Sequence, residues 1–219
     1  MTTHASTPLT RETAAAFAEL GVATVYEAAG RSGLVNVPLT QLIPGSNVCG
    51  PARIAACGQD DNRAVHEVMA HVQPGDILVL TMPEPAPVAL LGDLLATQAA
   101  AQHAAGVLVD AASRDTDDLR ELGLPTWTRF VRTFGATKQH RGAIDVPVEI
   151  GGARIEPGDA LVLDADGAVA VPSARVSDVH EAARTRVERE TTMRKRLQAG
   201  ELSYDIYGMR SHDTGEDSS

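Results

Sequence analysis

The spacing of apolar and polar positions changes period along this chain, and the changes mark out its elements. Residues 10–20 (TRETAAAFAEL) begin on a capping Thr10, carry Glu12 in the first turn and stop at Gly21, which predicts an N-terminal helix. A second short helix is predicted over residues 23–29. The apolar runs RIAAC at 53–57 and ILVL at 77–80 read as buried strands, the second launched by the turn Pro74-Gly75-Asp76. Residues 62–71 between them have helical spacing, so strand, helix and strand form a crossover unit with a parallel pair. The same logic repeats with an Ala-rich helix over residues 90–105, a turn at Gly106 and a short strand at Val107-Leu108-Val109. Beyond Pro125 the chain is mostly β, because VPVEIGGARIEPGDALVLDADGAVAVP is cut into short runs by Gly-Gly, Pro-Gly-Asp and Asp-Gly. PGDILVL at Pro74 returns as PGDALVL at Pro157, a faint internal repeat that coincidence explains equally well. A last helix, residues 177–199, is charged on one side and stopped by Gly200. The polar tail 211–219 reads as disordered, leaving residues 1–210 as a single α/β domain.

Composition narrows the function classes. At 219 residues and 43% apolar, the chain fills one core. Its formal charge of -10 repels a phosphate backbone, so nucleic acid is not an expected partner. No run approaches the roughly 18 apolar residues of a membrane span, and the N-terminus lacks a basic segment followed by an apolar core. The expected compartment is the cytoplasm. Cys49 and Cys57 are too few for a disulfide scaffold and lack zinc-ligand spacing, so both are expected reduced and structural. Aromatic residues make up only 3%, with Trp127 the single tryptophan, which leaves no stacking platform for single-stranded nucleic acid.

Chemistry concentrates in GDLLATQAAAQHAAGVLVDAASRD, residues 92–115, where Asp93 is separated by positions 94 through 113 from Arg114-Asp115. If the predicted helix and strand are correct, Asp93 lies near a helix start and Arg114-Asp115 just past the carboxyl end of the following strand. That is the edge at which open α/β sheets hold ligands. Free amides of Leu94 and Leu95 would then receive a substrate carboxylate, because first-turn N–H groups lack partners and the helix dipole favours anions. Asp115 would offer a hard oxygen to Mg²⁺ or Mn²⁺, ions that retain waters and take only one or two protein carboxylates. The plain alternative is that Asp93 caps its helix and Arg114-Asp115 is an exposed loop pair.

At these residues the chain resembles the divalent-metal class II pyruvate aldolases that cleave 4-hydroxy-4-methyl-2-oxoglutarate and 4-carboxy-4-hydroxy-2-oxoadipate. Asp93-x20-Arg114-Asp115, with a further acid at Asp118, looks like their signature. GVATVYEAAGRSG at Gly21, DNRAVHEVM at Asp61, PGDILV at Pro74, LGLPTWTR at Leu122, PVEIGGARIEPGDALVLDADG at Pro147 and QAGELSYDIYGMR at Gln198 follow the family's order. The last phrase resembles the oxoadipate branch in particular. The departure is DAASRD at Asp110, where the family more often has Gly or Cys before Arg-Asp, and it bears on substrate preference more than on metal binding. The family also includes ribonuclease E inhibitors, which resemble the aldolases in fold and typically lack the Asp after the Arg. A methyltransferase reading finds no glycine-rich cofactor loop after a first strand.

The resemblance implies an α/β/α sandwich around a mixed β core, a swivelling β/β/α-like domain. It implies that Asp115 holds the metal, that Arg114 stabilises the pyruvate enolate, and that Asp93 orients a metal-bound water that removes the C4 hydroxyl proton. Substrate contacts are expected from Gly92, Leu94, Leu95, Arg114 and Asn62. Oxaloacetate decarboxylation follows from the shared enolate. His66, on the helix after Asp61-Asn62, is a further candidate, as is Glu190, which resembles a glutamate that reaches a neighbouring subunit's site. The expected partner is a 2-keto acid and the expected assembly a homotrimer or homohexamer. An additional carboxylate on the substrate calls for another cation, for which Arg31 and Arg129 are the candidates. The competing reading is a non-catalytic regulator that grips another protein.

Overall fold

The structure, a computed structural model, describes residues 9–210; the tail 211–219 lies outside the described residues. Helix α1 (Arg11–Ala28) is capped by Thr10, whose side chain accepts from the Thr13 amide. It contains a kink at Gly21, with φ 77° and ψ 164°, so the two predicted helices are two pieces joined there. The Val22 amide, freed by the kink, donates to Asp164 Oδ2 at 2.7 Å. A Cβ at Gly21 would lie 2.9 Å from that same oxygen, which is why glycine stands at the joint.

Strands β1 (Thr40–Gln41) and β2 (Val48–Ala56) precede helix α2 (Arg63–Val68), which runs on as a 3₁₀ turn to His71. Strand β3 (Ile77–Thr81) is buried throughout and pairs parallel with β2, as the first crossover predicts. The second crossover differs in its opening. Ala89–Leu91 forms a strand, β4, and helix α3 covers only Asp93–Ala101 before strand β5 (Gly106–Ser113). Residues 89–91 are apolar enough for helix or strand, and pairing with the end of β5 decides the matter in favour of strand. At the far end, residues 102–105 form a turn in which the His103 carbonyl accepts the Gly75 amide. Strand β5 is buried along its whole length and parallel to β3.

Helix α4 (Thr116–Leu122) and strand β6 (Thr126–Val131) follow, and β6 pairs parallel with β5. The remaining strands are β7 (Ala143–Ile144), β8 (Val148–Ile150), β9 (Ala153–Ile155), β10 (Ala160–Asp164) and β11 (Gly167–Val171). The main sheet runs β1-β6-β5-β3-β2-β10-β11, with β4 on β5 and β7 on β2, while β8 and β9 pair separately. Parallel pairing fills its centre and antiparallel pairing its ends. One apolar cluster packs α2, α3 and α4 against this sheet through Val65, Leu95, Val109 and Leu119. A second joins Ile54, Leu108 and Trp127 to Ile150 and Ile155 of the small hairpin, and a third seats α1 on β10 and β11.

The last elements are α5 (Val176–Gln198) and α6 (Ser203–Ile206). Two compact units divide the chain, with the boundary after Ala183. The first is a mixed α/β domain with a nearly closed mixed sheet. Both cysteines are buried and free, and burial pushes each thiol up to about 12. Among the described residues no helix is long and apolar enough to cross a membrane.

Candidate active site

Parallel pairing of β4 with β5 sets Leu91 beside Ser113, and the Arg114 amide extends it by donating to the Leu91 carbonyl at 3.0 Å. The residues just after each strand are therefore neighbours. Gly92 and Asp93 open α3, and Arg114 and Asp115 open α4. The twenty-residue spacing in the sequence is the length of one helix and one returning strand.

Asp115 occupies the N-cap position of α4 with φ 55° and ψ 44°, a left-handed conformation tolerated by Asp. An aspartate there ordinarily accepts from its own helix's amides. This one makes no such bond. Its Oδ2 instead accepts the Asp93 amide at the head of α3, at 3.2 Å, and lies 3.4 Å from Arg114 Nε. Its Oδ1 has no hydrogen bond among the described residues. The Asp115 side chain is 33% exposed and that of Arg114 46%. The plain reading of a cap and an exposed loop pair does not describe this geometry, because the cap of α3 is Gly92 and the Asp115 carboxylate crosses to another helix.

Gly92 is required by the crowding. A Cβ there would meet Asp115 Oδ2 at 2.6 Å and Arg114 Nε at 3.1 Å. Having no side chain, it also leaves the amides of Leu94 and Leu95 in the first turn of α3 without a side-chain cap, while that of Asp93 is met by Asp115. A loop after β6 closes the other side of Arg114. The Phe134 carbonyl accepts the Ala89 amide at 2.7 Å, and a Cβ at Gly135 would lie 2.8 Å from Arg114 Nη1.

A cavity of about 120 Å³ opens here, lined by Gly92, Asp93, Leu94, Leu95 and Arg114, by Asn62 and His66, and by Ala89, Gly135, Ala136 and Lys138. Asp115 is not among the lining residues; its Oδ2 lies against Gly92, which is. Asn62 and His66 thus stand in the same wall as Asp93 and Arg114. Asn62 Nδ2 donates to the Leu90 carbonyl at 3.2 Å, while its Oδ1 is buried without a partner among the described residues. His66 titrates below the usual histidine range, chiefly through burial and secondarily through the positive charge of Lys138, with Asp61 opposing.

Sequence reasoning missed Lys138. Its neighbours are tied down by Asp61, which is fully buried and accepts from Thr137 Oγ1 at 2.6 Å and from the Gln139 and His140 amides at 2.5 and 3.1 Å. Those bonds, with one from the Arg63 amide, outweigh burial and hold the Asp61 carboxyl below its usual range. The expected cations lie elsewhere. Arg31 pairs with Glu27 at the exposed end of α1, and Arg129 pairs with buried Asp110 at 2.8 Å. Neither lines the cavity. Glu190 belongs to the second unit, where it pairs with Arg186 at 2.8 Å.

A divalent ion that retains most of its waters fits what is present. No group of three or more His, Cys, Asp or Glu converges among the described residues, so an all-protein cage is not on offer. The partly exposed Asp115 carboxylate, with one oxygen unpartnered among the described residues, is the single hard-oxygen donor that a hydrated Mg²⁺ or Mn²⁺ accepts.

Fold and site together define an α/β protein with a helix head that lacks a side-chain cap of its own at the carboxyl edge of parallel strands. The chain belongs to the RraA-like family, whose model, described as Aldolase/RraA, matches residues 22–170. A Thermus thermophilus protein named 4-hydroxy-4-methyl-2-oxoglutarate aldolase is 33% identical over 113 residues, 52% of this chain and 69% of that one. A Halalkalibacterium halodurans protein given the same name provisionally is 34% identical over 154 residues, 69% of this chain and 73% of its own. The crystal structure of Streptomyces coelicolor RraAS2, described as an unusual member of the RNase ES inhibitor RraA family, superposes with a TM-score of 0.75. It is 31% identical, over 84% of this chain and 96% of that one.

Proposed function

We propose that this chain is a divalent-metal-dependent lyase that cleaves 4-hydroxy-2-keto acids of the 4-hydroxy-4-methyl-2-oxoglutarate and 4-carboxy-4-hydroxy-2-oxoadipate type, releasing pyruvate. The observation that carries this reading is the Asp115 carboxylate, turned away from its own helix toward the head of α3 with one oxygen unused. Asp115 would hold Mg²⁺ or Mn²⁺, and the bound ion would supply Lewis-acid polarisation of the substrate's keto group.

The chain's own residues supply the rest. Uncapped amides of Leu94 and Leu95 bind the C1 carboxylate. A water in the cavity takes the C4 hydroxyl proton and passes one of its own to Asp93, while donating its other hydrogen to the unpartnered Asn62 Oδ1. The C3–C4 bonding pair moves to form the enolate and C4 becomes a carbonyl. Arg114 offsets the charge that develops on the C2 oxygen. The same proton route returns a proton to C3 and completes pyruvate. Oxaloacetate decarboxylation uses the identical enolate, with carbon dioxide leaving in place of the carbonyl fragment. Glu190 reaches a neighbouring subunit's site in a trimer or hexamer, and a monomer in light scattering contradicts that part.

The test is pyruvate release from both substrates and from oxaloacetate with Mg²⁺ or Mn²⁺, repeated after EDTA. Release that EDTA abolishes supports the lyase. Similarity to the RNase ES inhibitor family favours a second reading, a protein-binding regulator, and absence of release from every substrate moves the assignment there.

A further inference from the structure

The Asp61 carboxylate is the most heavily hydrogen-bonded side chain beside the cavity, yet it does not line it. It joins two segments that do. Its Oδ1 accepts the Arg63 amide at 2.8 Å at the head of α2, directly after Asn62. Its Oδ2 accepts from Thr137, Gln139 and His140, the residues on either side of Lys138. A backbone bond from the Asn62 amide to the Thr137 carbonyl, 2.9 Å, tightens the same joint. One buried carboxylate thus fixes both the cavity's unpartnered acceptor and its second cation. Lys138 has no ion-pair partner among the described residues. A lysine without a counter-ion in the wall of a keto-acid cavity is a receptor for another anionic group.

Resting on the reading above, we propose that Lys138 binds the carboxylate of the carboxymethyl arm on the departing fragment. Asp61 is the positioning residue that holds Lys138 where this contact forms. The site therefore prefers the substrate with the additional carboxylate over its C4-methyl counterpart. Arg114 serves the pyruvate half and Lys138 the half that leaves, so the two cations of the cavity divide the substrate between them.

Lys138→Met, a change at an exposed position, tests the contact with little risk to folding. It is expected to raise KM for 4-carboxy-4-hydroxy-2-oxoadipate by about tenfold more than for 4-hydroxy-4-methyl-2-oxoglutarate, the usual effect of losing a hydrogen bond to a charged group. Metal-dependent exchange of pyruvate C3 protons in D₂O, which needs only the pyruvate half, is expected to stay at the wild-type rate. Asp61→Asn, which also loosens Asn62, is expected to lower kcat on both substrates and in addition to produce the same substrate-selective rise in KM, and the double variant to add nothing to that selective part. An equal loss on both substrates in Lys138→Met, or additive effects in the double variant, overturns the proposal while exchange by the wild type leaves the lyase reading standing. Wild-type protein that exchanges no pyruvate protons overturns both.

Discussion

Two arginine–aspartate clusters in this chain use the same residue types to opposite ends. Arg53 on β2 donates through Nε to Asp76 at 3.0 Å and through Nη1 to Asp145 at 2.5 Å. Asp145 accepts the Ile54 amide with its other oxygen, and Asp76 also accepts the Gln73 amide. Two carboxylates and one main-chain amide on each bind this guanidinium into the fold, although Asp76 Oδ1 and Arg53 Nη2 have no hydrogen bond among the described residues, and Asp76 is buried. Arg114 and Asp115 share one long contact of 3.4 Å, remain partly exposed and leave a carboxylate oxygen unused. The first cluster is tightly paired and structural; it stitches β2 to the turn before β3 and to the residue after β7. The second, partly exposed, keeps hydrogen-bonding capacity in reserve, which is what a binding or catalytic group needs.

The comparison is sharpest in paired substitutions. Arg114→Ala and Asp115→Ala are each expected to lower kcat by about a hundredfold or more, the typical cost of losing one group aimed at transition-state charge. Their urea midpoints are expected to match the wild type, since neither side chain is buried. Arg53→Met and Asp145→Ala are expected to do the reverse, costing about 2–4 kcal/mol in urea unfolding by stranding a paired charge, with kcat of the folded protein unchanged. Gly92→Ala probes the boundary between the two behaviours. Its Cβ would press on Asp115 Oδ2 at 2.6 Å, so a loss of about tenfold in kcat from displaced catalytic groups is expected, with a near-normal urea midpoint.

Acid sensitivity is the smallest effect; two groups make stability fall on acidification, while Asp110 and Asp159, pushed up by burial, oppose them at lower pH. Asp61 titrates below its usual range when folded, so its contribution is present above the ordinary carboxylate range and is lost as pH falls through it. His66 also titrates below its usual range, so folding resists its protonation and stability begins to fall at the ordinary histidine range. Urea midpoints should decline on acidification first through His66 and then through Asp61. His66→Gln should flatten the first part of the decline and leave the second.

Much of the site was legible because it follows chain periodicity. A helix and a returning parallel strand bring Asp93 and Arg114-Asp115 together whatever the side chains between them. The two Pro-Gly-Asp phrases are a further case, and here the structure adds meaning to a faint signal. Asp76 accepts the Gln73 amide and Asp159 the Glu156 amide, both at 2.9 Å, so the phrases build the same turn. One turn then feeds a parallel strand and the other an antiparallel one, a difference that local sequence does not encode. Strand β4 was hidden because an apolar triplet before an Ala-rich run fits a helix equally well. Lys138 was hidden for a different reason: its place depends on hydrogen bonds to Asp61, 77 positions away, and no periodicity marks a loop held in that manner. Arg129 looked available in the sequence because its partner Asp110 lies on the neighbouring strand.

The central claim is that the Asp93, Arg114 and Asp115 cluster generates a pyruvate enolate with the help of a divalent ion. The most direct measurement is the exchange of pyruvate C3 protons for deuterium, followed by proton NMR, with Mg²⁺ or Mn²⁺ present and after EDTA. The account predicts exchange with the metal and none after its removal or in Arg114→Ala. Absence of exchange in the metal-loaded wild type, or equal exchange in Arg114→Ala, would contradict it.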